Sequence, residues 1–200
     1  MKMNALERLL VNNPVRTWML RRLALDLLDH NATSLSGKRV LEIGCGQGAG
    51  TELLLRDCGA EKVFAFDFDP RQLARAKHRH RAHGAGGIAL FVGDGERLPF
   101  GDAQFDVIVE FAILHHMPEW RQAVSEIARV LRPGGILVYE EYLQGFVGNP
   151  IALRLLDHPR SGWFKADAFY DALCGVGMQC TPHQRRLGEY WLAGVAQRIG

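Results

Sequence analysis

The chain has 200 residues, 48% of them hydrophobic, which suits one globular domain with a substantial core. Its net charge is +2, from 24 Lys and Arg against 22 Asp and Glu, and this is too small to indicate nucleic-acid binding. No apolar run approaches the length that crosses a bilayer, and the N-terminus lacks a signal-peptide pattern. We therefore expect a cytoplasmic protein.

A helical extension is predicted over residues 1–37. Apolar residues recur there at helical spacing: Val15, Trp18, Met19, Leu23 and Leu27. A core helix that buries this stripe and a lid over a bound ligand both agree with the pattern. A helix that lies on a membrane surface, with its arginines on the polar side, is the third and least favoured interpretation.

The most informative segment is VLEIGCGQGAGTELLL at 40–55. Its apolar start predicts a buried strand, its glycines predict a tight turn, and its end predicts a helix. Such a turn lets a ligand lie against bare backbone beside the free N–H groups of the helix start. Glu42 is discordant, because a buried acid is costly unless it binds a cationic or hydroxylic group. Dinucleotide-binding proteins share this pattern, with Asp67 at the distance expected for a ribose contact.

Farther along the chain, strands alternate with helices, which is the pattern of a parallel sheet covered by helices. Strands are predicted near residues 38–43, 62–67, 88–93, 105–110, 136–142, 177–183 and 189–197. Helices are predicted near residues 50–58, 70–83, 119–131 and 166–175. A connection at about 142–165 is long and rich in aromatic residues, which is typical of a functional segment.

A series of segments resembles the class I S-adenosylmethionine-dependent methyltransferases, from about Lys38 to the C-terminus. After the glycine turn come VFAFD at 63–67, GDGERLPF at 93–100, FDVIV at 105–109, LHH at 114–116 and RVLRPGG at 129–135. Their shared order is far more specific than any one of them. The resemblance implies an α/β fold over residues 38–200. This would be a single Rossmann-like domain with a seven-stranded, mostly parallel sheet, an antiparallel last strand and helices on both faces.

The resemblance also assigns residues to the cofactor. Gly44, Gly46 and Gly48 would let the amino-acid moiety of S-adenosylmethionine approach the backbone. Glu42 would lie near the ammonium of that moiety, and Cys45 lies within the same turn. The product, S-adenosylhomocysteine, would bind in the same place.

The ribose and adenine contacts follow from the same resemblance. Asp67 would bind both ribose hydroxyls, Asp94 the adenine amine, and Phe68 and Gly95 would flank the adenine ring. Asp69 departs from the family pattern, and either caps the next helix or takes the ribose contact itself. Two further acids complete the predicted cofactor-binding set, Glu96 and Glu110.

Methyl transfer from a sulfonium is an in-line displacement, so the enzyme mainly aligns donor and acceptor and excludes water. An acceptor that carries a proton also needs a base. His115 and His116 follow the fourth predicted strand, at the sheet edge where ligands of such folds bind. We predict His115 as the general base and His116 as the second candidate. The alternative is that one histidine orients the loop and the other faces solvent.

No metal site is predicted. The basic stretch at 71–83 is interpreted as a solvated helix face, because most of its histidines point in different directions and aromatic stacking residues are absent. The four cysteines lack a C-x-x-C pair or zinc spacing, which favours a reducing compartment. Cys174 and Cys180 are the pair that could meet, across a helix and a strand.

The sequence therefore predicts a methyltransferase acting on a small, partly apolar molecule, with the acceptor atom left open. The extension and the segment at 142–165 are expected to form the acceptor pocket. No nucleic-acid partner is expected, and the oligomeric state is not predicted. The alternatives are a lipid or quinone methyltransferase at a membrane surface, a catalytically silent cofactor-binding subunit, and an oxidoreductase that binds a nicotinamide dinucleotide.

Overall fold

The computed structural model describes residues 13–82, 87–155 and 162–200. The helices are α1 (Pro14–His30), α2 (Ala49–Arg56), α3 (Pro70–Ala82), α4 (Trp120–Val130), α5 (Gln144–Val147), α6 (Pro150–Leu155) and α7 (Ala166–Gly175), with a 3₁₀ turn at Leu114–His116. The strands are β1 (Arg39–Ile43), β2 (Lys62–Asp67), β3 (Ile88–Val92), β4 (Phe105–Phe111), β5 (Leu131–Tyr142), β6 (Met178–Cys180), β7 (Arg185–Leu187) and β8 (Trp191–Arg198). Every predicted strand and helix lies where it was expected, although β5 begins earlier, at Leu131.

One sheet contains all of these strands, in the order β3-β2-β1-β4-β5-β8-β6. Strands β1 to β5 are parallel, and β8 is antiparallel to β5, so the predicted Rossmann-like architecture is confirmed. The described strands number eight rather than seven, because β6 and β7 pair with successive parts of one edge of β8. Pro182 lies between them and has no N–H to donate to the ladder, which accounts for the interruption.

Helices cover both faces of the sheet. On one face, α1, α2 and α3 bury Leu27, Leu54 and Leu73 against the strands. On the other face, α4 and α7 bury Ile127 and Phe169. The parallel strands are therefore enclosed on both sides, which explains their nearly continuous apolar sequences.

Helix α1 buries only part of the apolar stripe predicted for it, Leu23 and Leu27. Its apolar residues at the start are exposed: Val15 by 66%, Trp18 by 55% and Met19 by 55%. Four residues turn a helix by about 40° more than one full circle. A stripe with repeated four-residue spacing therefore moves gradually around the helix, and its first residues do not face the same side as its last. The buried face comprises Leu20, Leu23, Ala24, Leu27 and Leu28. Most of α1 is thus a core helix, and its first turns have another environment.

Part of the segment after β5 lines a cavity, described below, and part of it belongs to the hydrophobic core. It contains α5 and α6. Near its end, Phe164 is buried, with its ring centroid 4.4 Å from that of Trp120 and 5.4 Å from that of Phe169. Phe164 therefore supports the fold and not the acceptor pocket. Residues 1–12 of the predicted extension, and 156–161 of the predicted cap, lie outside the described residues.

The cysteines are free thiols: Cys45 is buried, Cys58 and Cys180 are partly buried, and Cys174 is exposed. Burial raises the pKa of the Cys58 thiol to about 11, with Asp57 adding to it, so this residue is an uncharged small apolar group at neutral pH. Within the described ranges, no helix combines the length and apolarity needed to cross a bilayer.

Candidate active site

A cavity of about 470 Å³ lies at the carboxyl ends of β1, β2 and β4, a size typical of small-molecule sites. It is at the point where β1 and β4 are neighbours and the strand order reverses. Most predicted site residues line it: Glu42, Gly44, Cys45, Gly46, Asp67, Phe68, Asp94, Gly95, Glu96, His115 and His116. Gly48 and Glu110 are not among the lining residues. The wall also includes residues that the sequence did not assign, Arg16, Thr17, Leu20, Ile113 and Met117.

The three glycines of the turn have left-handed backbones, but only one of them faces open space. A Cβ at Gly44 (φ +68°) would lie 2.4 Å from Ile113 Cγ1, and a Cβ at Gly48 (φ +80°) would lie 2.5 Å from His80 Nε2. A Cβ at Gly46 (φ +53°) would have no protein atom within 4 Å. Gly44 and Gly48 are therefore required by the fold itself, and Gly46 leaves its backbone open to the cavity.

Asp67 ends β2 and is held beneath the glycine turn. Its Oδ2 accepts the N–H of Gly46 at 2.9 Å, and its Oδ1 accepts the N–H of Asp69 at 2.8 Å. Burial raises the pKa of Asp67, while these two hydrogen bonds oppose that effect. Each carboxylate oxygen has a second lone pair, so Asp67 can accept two hydroxyl donors from a ligand.

Asp69 has the capping role that was one of its two predicted roles. Its Oδ1 accepts the N–H of Arg71 at 3.0 Å, and its backbone carbonyl accepts the N–H of Gln72 at 2.9 Å. The carboxylate also pairs with the Arg71 guanidinium at 2.8 Å. Its acceptor capacity is therefore used at the start of α3, which leaves Asp67 as the better placed ribose ligand.

A tight turn after β3 forms the far end of the cavity. Asp94 Oδ1 accepts the N–H of Glu96 at 2.9 Å, and Glu96 Oε1 accepts the N–H of Glu119 at 3.0 Å, which ties this turn to the start of α4. A Cβ at Gly95 would lie 2.4 Å from Met117 Cε, so the glycine lets Met117 pack against the turn. Phe68 is 65% exposed at the cavity wall.

Glu42 lies at the bottom of the cavity and is 3% exposed. Its Oε2 accepts the hydroxyl proton of Thr51, which is completely buried in α2. Burial raises the pKa of Glu42 to about 7, the charge of Asp67 adds to it, and the Thr51 hydrogen bond opposes it. Glu42 is therefore about half ionised at neutral pH, and a cationic ligand would favour its charged form.

Beside the cavity, His115 and Glu141 form a buried pair. His115 Nδ1 lies 2.6 Å from Glu141 Oε2, and the two side chains are 2% and 0% exposed. The other oxygen of Glu141 accepts the backbone N–H of Ile113 at 2.9 Å and of Leu114 at 2.5 Å. The loop after β4 is thus anchored on one carboxylate, and that carboxylate orients the imidazole.

Glu110 lies behind this pair and does not reach the cofactor region predicted for it. It is fully buried at the end of β4, and its Oε2 accepts the N–H of Ile113 at 3.3 Å. Burial first, and then the neighbouring charge of Glu141, raise the pKa of Glu110 well above its usual value. The raised pKa favours the uncharged form of Glu110, which lies beside the Glu141 carboxyl that faces His115. With a carboxylate against Nδ1, that nitrogen carries the proton and Nε2 is the basic one.

An aromatic group continues the wall beyond His115. The His115 ring centroid is 4.2 Å from that of His116 and 5.7 Å from that of Tyr142, and Tyr142 stacks on Phe146 of α5 at 4.6 Å. His116, Tyr142 and Phe146 all line the cavity. This side of the cavity is suited to an apolar molecule with a polar end near His115.

The first turns of α1 complete the wall, so this helix is both core and cavity lining. Arg16 pairs through both terminal nitrogens with Glu140, the neighbour of Glu141 on β5, at 3.0 Å for the longer contact. Glu140 also accepts the indole N–H of Trp191 at 3.0 Å. A helix on a membrane surface, the least favoured interpretation of this segment, would have Arg16 on its polar side, but the Arg16 side chain is only 15% exposed. An ion pair between positions 124 residues apart leaves no local signal in a sequence.

Comparison with known proteins agrees with this geometry. Residues 41–139 match the sequence model of a family described as a methyltransferase domain. This part of the chain is therefore a methyltransferase domain. The chain is 38% identical over 122 residues to a probable phthiotriol/phenolphthiotriol dimycocerosates methyltransferase of Mycobacterium ulcerans, a match that covers 60% of this chain and 46% of that protein.

Two more similarities extend the comparison. The chain is 35% identical over 107 residues to a fatty-acid O-methyltransferase of Mycolicibacterium smegmatis, covering 54% of this chain and 38% of the relative. It therefore spans less than half the length of these methyltransferases. An S-adenosylmethionine-dependent methyltransferase from Mesorhizobium loti has the same fold, with a TM-score of 0.68, 19% identity, and coverage of 86% and 95% of the two chains.

Proposed function

We propose that this methyltransferase transfers the methyl group of S-adenosylmethionine to a hydroxyl oxygen of an apolar, lipid-like acceptor. The observation that carries the proposal is the buried His115–Glu141 pair, which is at the wall of a cavity with aromatic and apolar lining. The names of the two mycobacterial relatives, which refer to dimycocerosates and to a fatty acid, support an apolar acceptor.

The described residues fit the cofactor of this family. When bound, S-adenosylmethionine supplies a methyl group on a sulfonium. Gly46 offers a backbone without an obstructing Cβ, Asp67 retains lone pairs for two ribose hydroxyls, and Glu42 is an acid at the bottom of the cavity for an ammonium. Asp94 lines the end where the adenine amine is expected.

His115 is suited to remove the acceptor proton. Glu141 holds Nδ1, so Nε2 takes the proton, and the resulting imidazolium is stabilised by the Glu141 carboxylate at 2.6 Å. Burial raises the pKa of Glu110 well above its usual value, which disfavours a second anion in the same buried group. An alcohol has a very high pKa and requires such a base, whereas a fatty acid is already ionised at pH 7 and requires only alignment.

Two acceptors therefore test the proposal together. Purified protein is incubated with methyl-labelled S-adenosylmethionine and either a medium-chain alcohol or the fatty acid of equal length, and the products are identified by mass spectrometry. We expect the methyl ether of the alcohol to form, and His115→Asn to lower its formation by about 10²- to 10⁴-fold while leaving any methyl ester of the acid.

Other outcomes select other functions. If only the ester forms, and it forms equally with His115→Asn, the acceptor is a carboxylate and the site works by alignment alone. Cofactor binding without any product across alcohols, acids, amines and phenols would favour a silent subunit. Binding of a nicotinamide dinucleotide in place of S-adenosylmethionine would favour the oxidoreductase.

The buried acid Glu42 predicts that cofactor binding is linked to pH. Its pKa is about 7 in the free protein, and a nearby ammonium would lower it, so binding of S-adenosylhomocysteine at pH 7 should release about half a proton. The affinity should consequently rise between pH 6 and about 7.5. Isothermal titration in two buffers of different ionisation enthalpy measures the proton release directly.

Glu42→Gln is the matched control, because glutamine can still accept the Thr51 hydrogen bond but has no proton to release. The variant should bind more weakly and show the same binding enthalpy in both buffers after correction. Equal proton release from the variant and the wild-type protein would show that another group is responsible.

A further inference from the structure

The start of helix α1 has a continuous apolar surface. Val15, Trp18 and Met19 are 66%, 55% and 55% exposed, and their i, i+3, i+4 spacing places them side by side on the helix. The Arg22 guanidinium lies 5.2 Å from the Trp18 ring, a cation–π contact on the same surface. A grouped patch of this kind, unlike a single exposed side chain, calls for an explanation.

This patch, which we call the α1 patch, borders the cavity. Arg16 and Thr17, between its members in the sequence, line the cavity, and Leu20 on the next turn does so too. Phe68, another exposed aromatic residue, lines the cavity from the segment between β2 and α3. Exposed apolar side chains therefore lie at the edge of the cavity on two separate elements.

The same layer of helices has a strongly basic member. Helix α3 contains five Lys and Arg residues and no Asp or Glu. Ion pairs join α2 and its C-cap to both neighbouring helices: Arg21 of α1 pairs with Asp57, the residue after α2, at 2.9 Å, and Arg79 of α3 pairs with Glu52 of α2 at 3.0 Å. The basic helix and the α1 patch thus belong to one face of the protein, and α3 begins at the cavity edge, next to Phe68 and Asp69.

We propose that this face docks on an anionic lipid bilayer, with the α1 patch inserted at the interface and α3 facing the lipid phosphates. Trp beside Arg on an exposed helix face is suited to the interface, where the ring meets acyl chains and the cation meets headgroups. Lys and Arg near a bilayer gain from its negative surface potential. The bilayer would be the source from which an apolar acceptor enters the cavity, and this last step rests on the proposed function.

Vesicle co-sedimentation tests the docking without any chemistry. Vesicles of phosphatidylcholine alone are compared with vesicles that also contain phosphatidylglycerol, at low and high salt. We expect the protein to sediment with the anionic vesicles at low salt. The double variant Trp18→Ala, Met19→Ala should reduce the bound fraction by about 10-fold, and Arg75→Glu with Lys77→Glu should do the same, since each removes one of the two contributions.

The double variant Leu187→Ala, Ile199→Ala is the matched control, because these residues are 66% and 57% exposed and do not line the cavity. It should sediment like the wild-type protein. Equal sedimentation of the Trp18, Met19 variant and this control would overturn the proposal. Absence of vesicle binding, together with a dimer that the Trp18, Met19 variant dissociates, would assign the patch to a second copy of the chain.

The test of the docking surface can fail or succeed independently of the test of the proposed function. Turnover of a water-soluble short-chain alcohol without vesicles reports on the catalytic site alone, and S-adenosylhomocysteine binding shows that each variant is folded. If vesicles bind but no alcohol is methylated, the docking surface stands and the proposed reaction fails. If the alcohol is methylated but vesicles do not bind, the reaction stands and the docking surface fails.

Discussion

Replacing His115 with asparagine is expected to lower the turnover of an alcohol acceptor by about 10²- to 10⁴-fold, the effect of losing a general base. Asparagine removes the basic nitrogen, and its short side chain keeps a polar group against Glu141 Oε2, which lies 2.6 Å from the imidazole in the native protein. The dependence of the rate on pH should also become weaker in this variant. Initial rates between pH 5.5 and 9, with cofactor affinity measured in parallel, provide the test.

Two variants serve as controls, one for the position of the imidazole and one for the charge of the carboxylate beside it. His116→Asn removes the neighbouring imidazole, whose ring centroid is 4.2 Å away, and should have a much smaller effect. In Glu141→Gln, the amide oxygen can still accept the N–H groups of Ile113 and Leu114, but its NH₂ group would face Nδ1 and favour the wrong tautomer. This variant should therefore lose most of the turnover and keep most of its stability. A full rate in His115→Asn, or a loss confined to His116→Asn, would contradict the assignment.

Gly46→Val is expected to raise the dissociation constants of S-adenosylmethionine and S-adenosylhomocysteine by at least about 100-fold. A Cβ at Gly46 has no protein atom within 4 Å, so the valine side chain would occupy the space where the cofactor meets the backbone. The left-handed backbone at this position should also cost about 1–3 kcal/mol of stability. Isothermal titration gives the affinities, and thermal unfolding gives the stability.

Gly37→Val separates these two effects. Gly37 has a similar backbone (φ +68°) and open surroundings, but it does not line the cavity. It should lose comparable stability and bind the cofactor normally. Asp67→Ala should weaken binding by roughly 100-fold as well, because two hydrogen bonds to a charged group are lost. Tight cofactor binding by Gly46→Val would place the ligand elsewhere.

Much of this protein is determined by local sequence. The strand β1, the glycine turn and the helix α2 follow from an apolar run, three glycines and a helical pattern that are contiguous in the chain, and these signals depend only on backbone preferences and burial. The same holds for Asp67, which directly ends the apolar run of β2. The resemblance of this series of segments to one family then places the cavity at the carboxyl ends of the strands.

The roles of side chains that contact residues far away in the sequence could be seen only in the tertiary structure. Glu110 and Glu141 are both acids at strand ends in the sequence, but burial in the fold raises the pKa of Glu110 well above its usual value, whereas Glu141 is the partner of His115. The sequence does not show which of the three turn glycines has open space beside it. In the structure, Ile113 packs against Gly44 and His80 packs against Gly48, so Gly46 is the one that is open. Helical periodicity predicts the apolar residues of α1 but not their buried face, because the packing of Leu20, Leu23 and Leu27 against the rest of the fold decides which face is covered. Local patterns determine which elements form, and contacts between residues far apart in the chain determine which side chains face a ligand, a neighbour or solvent.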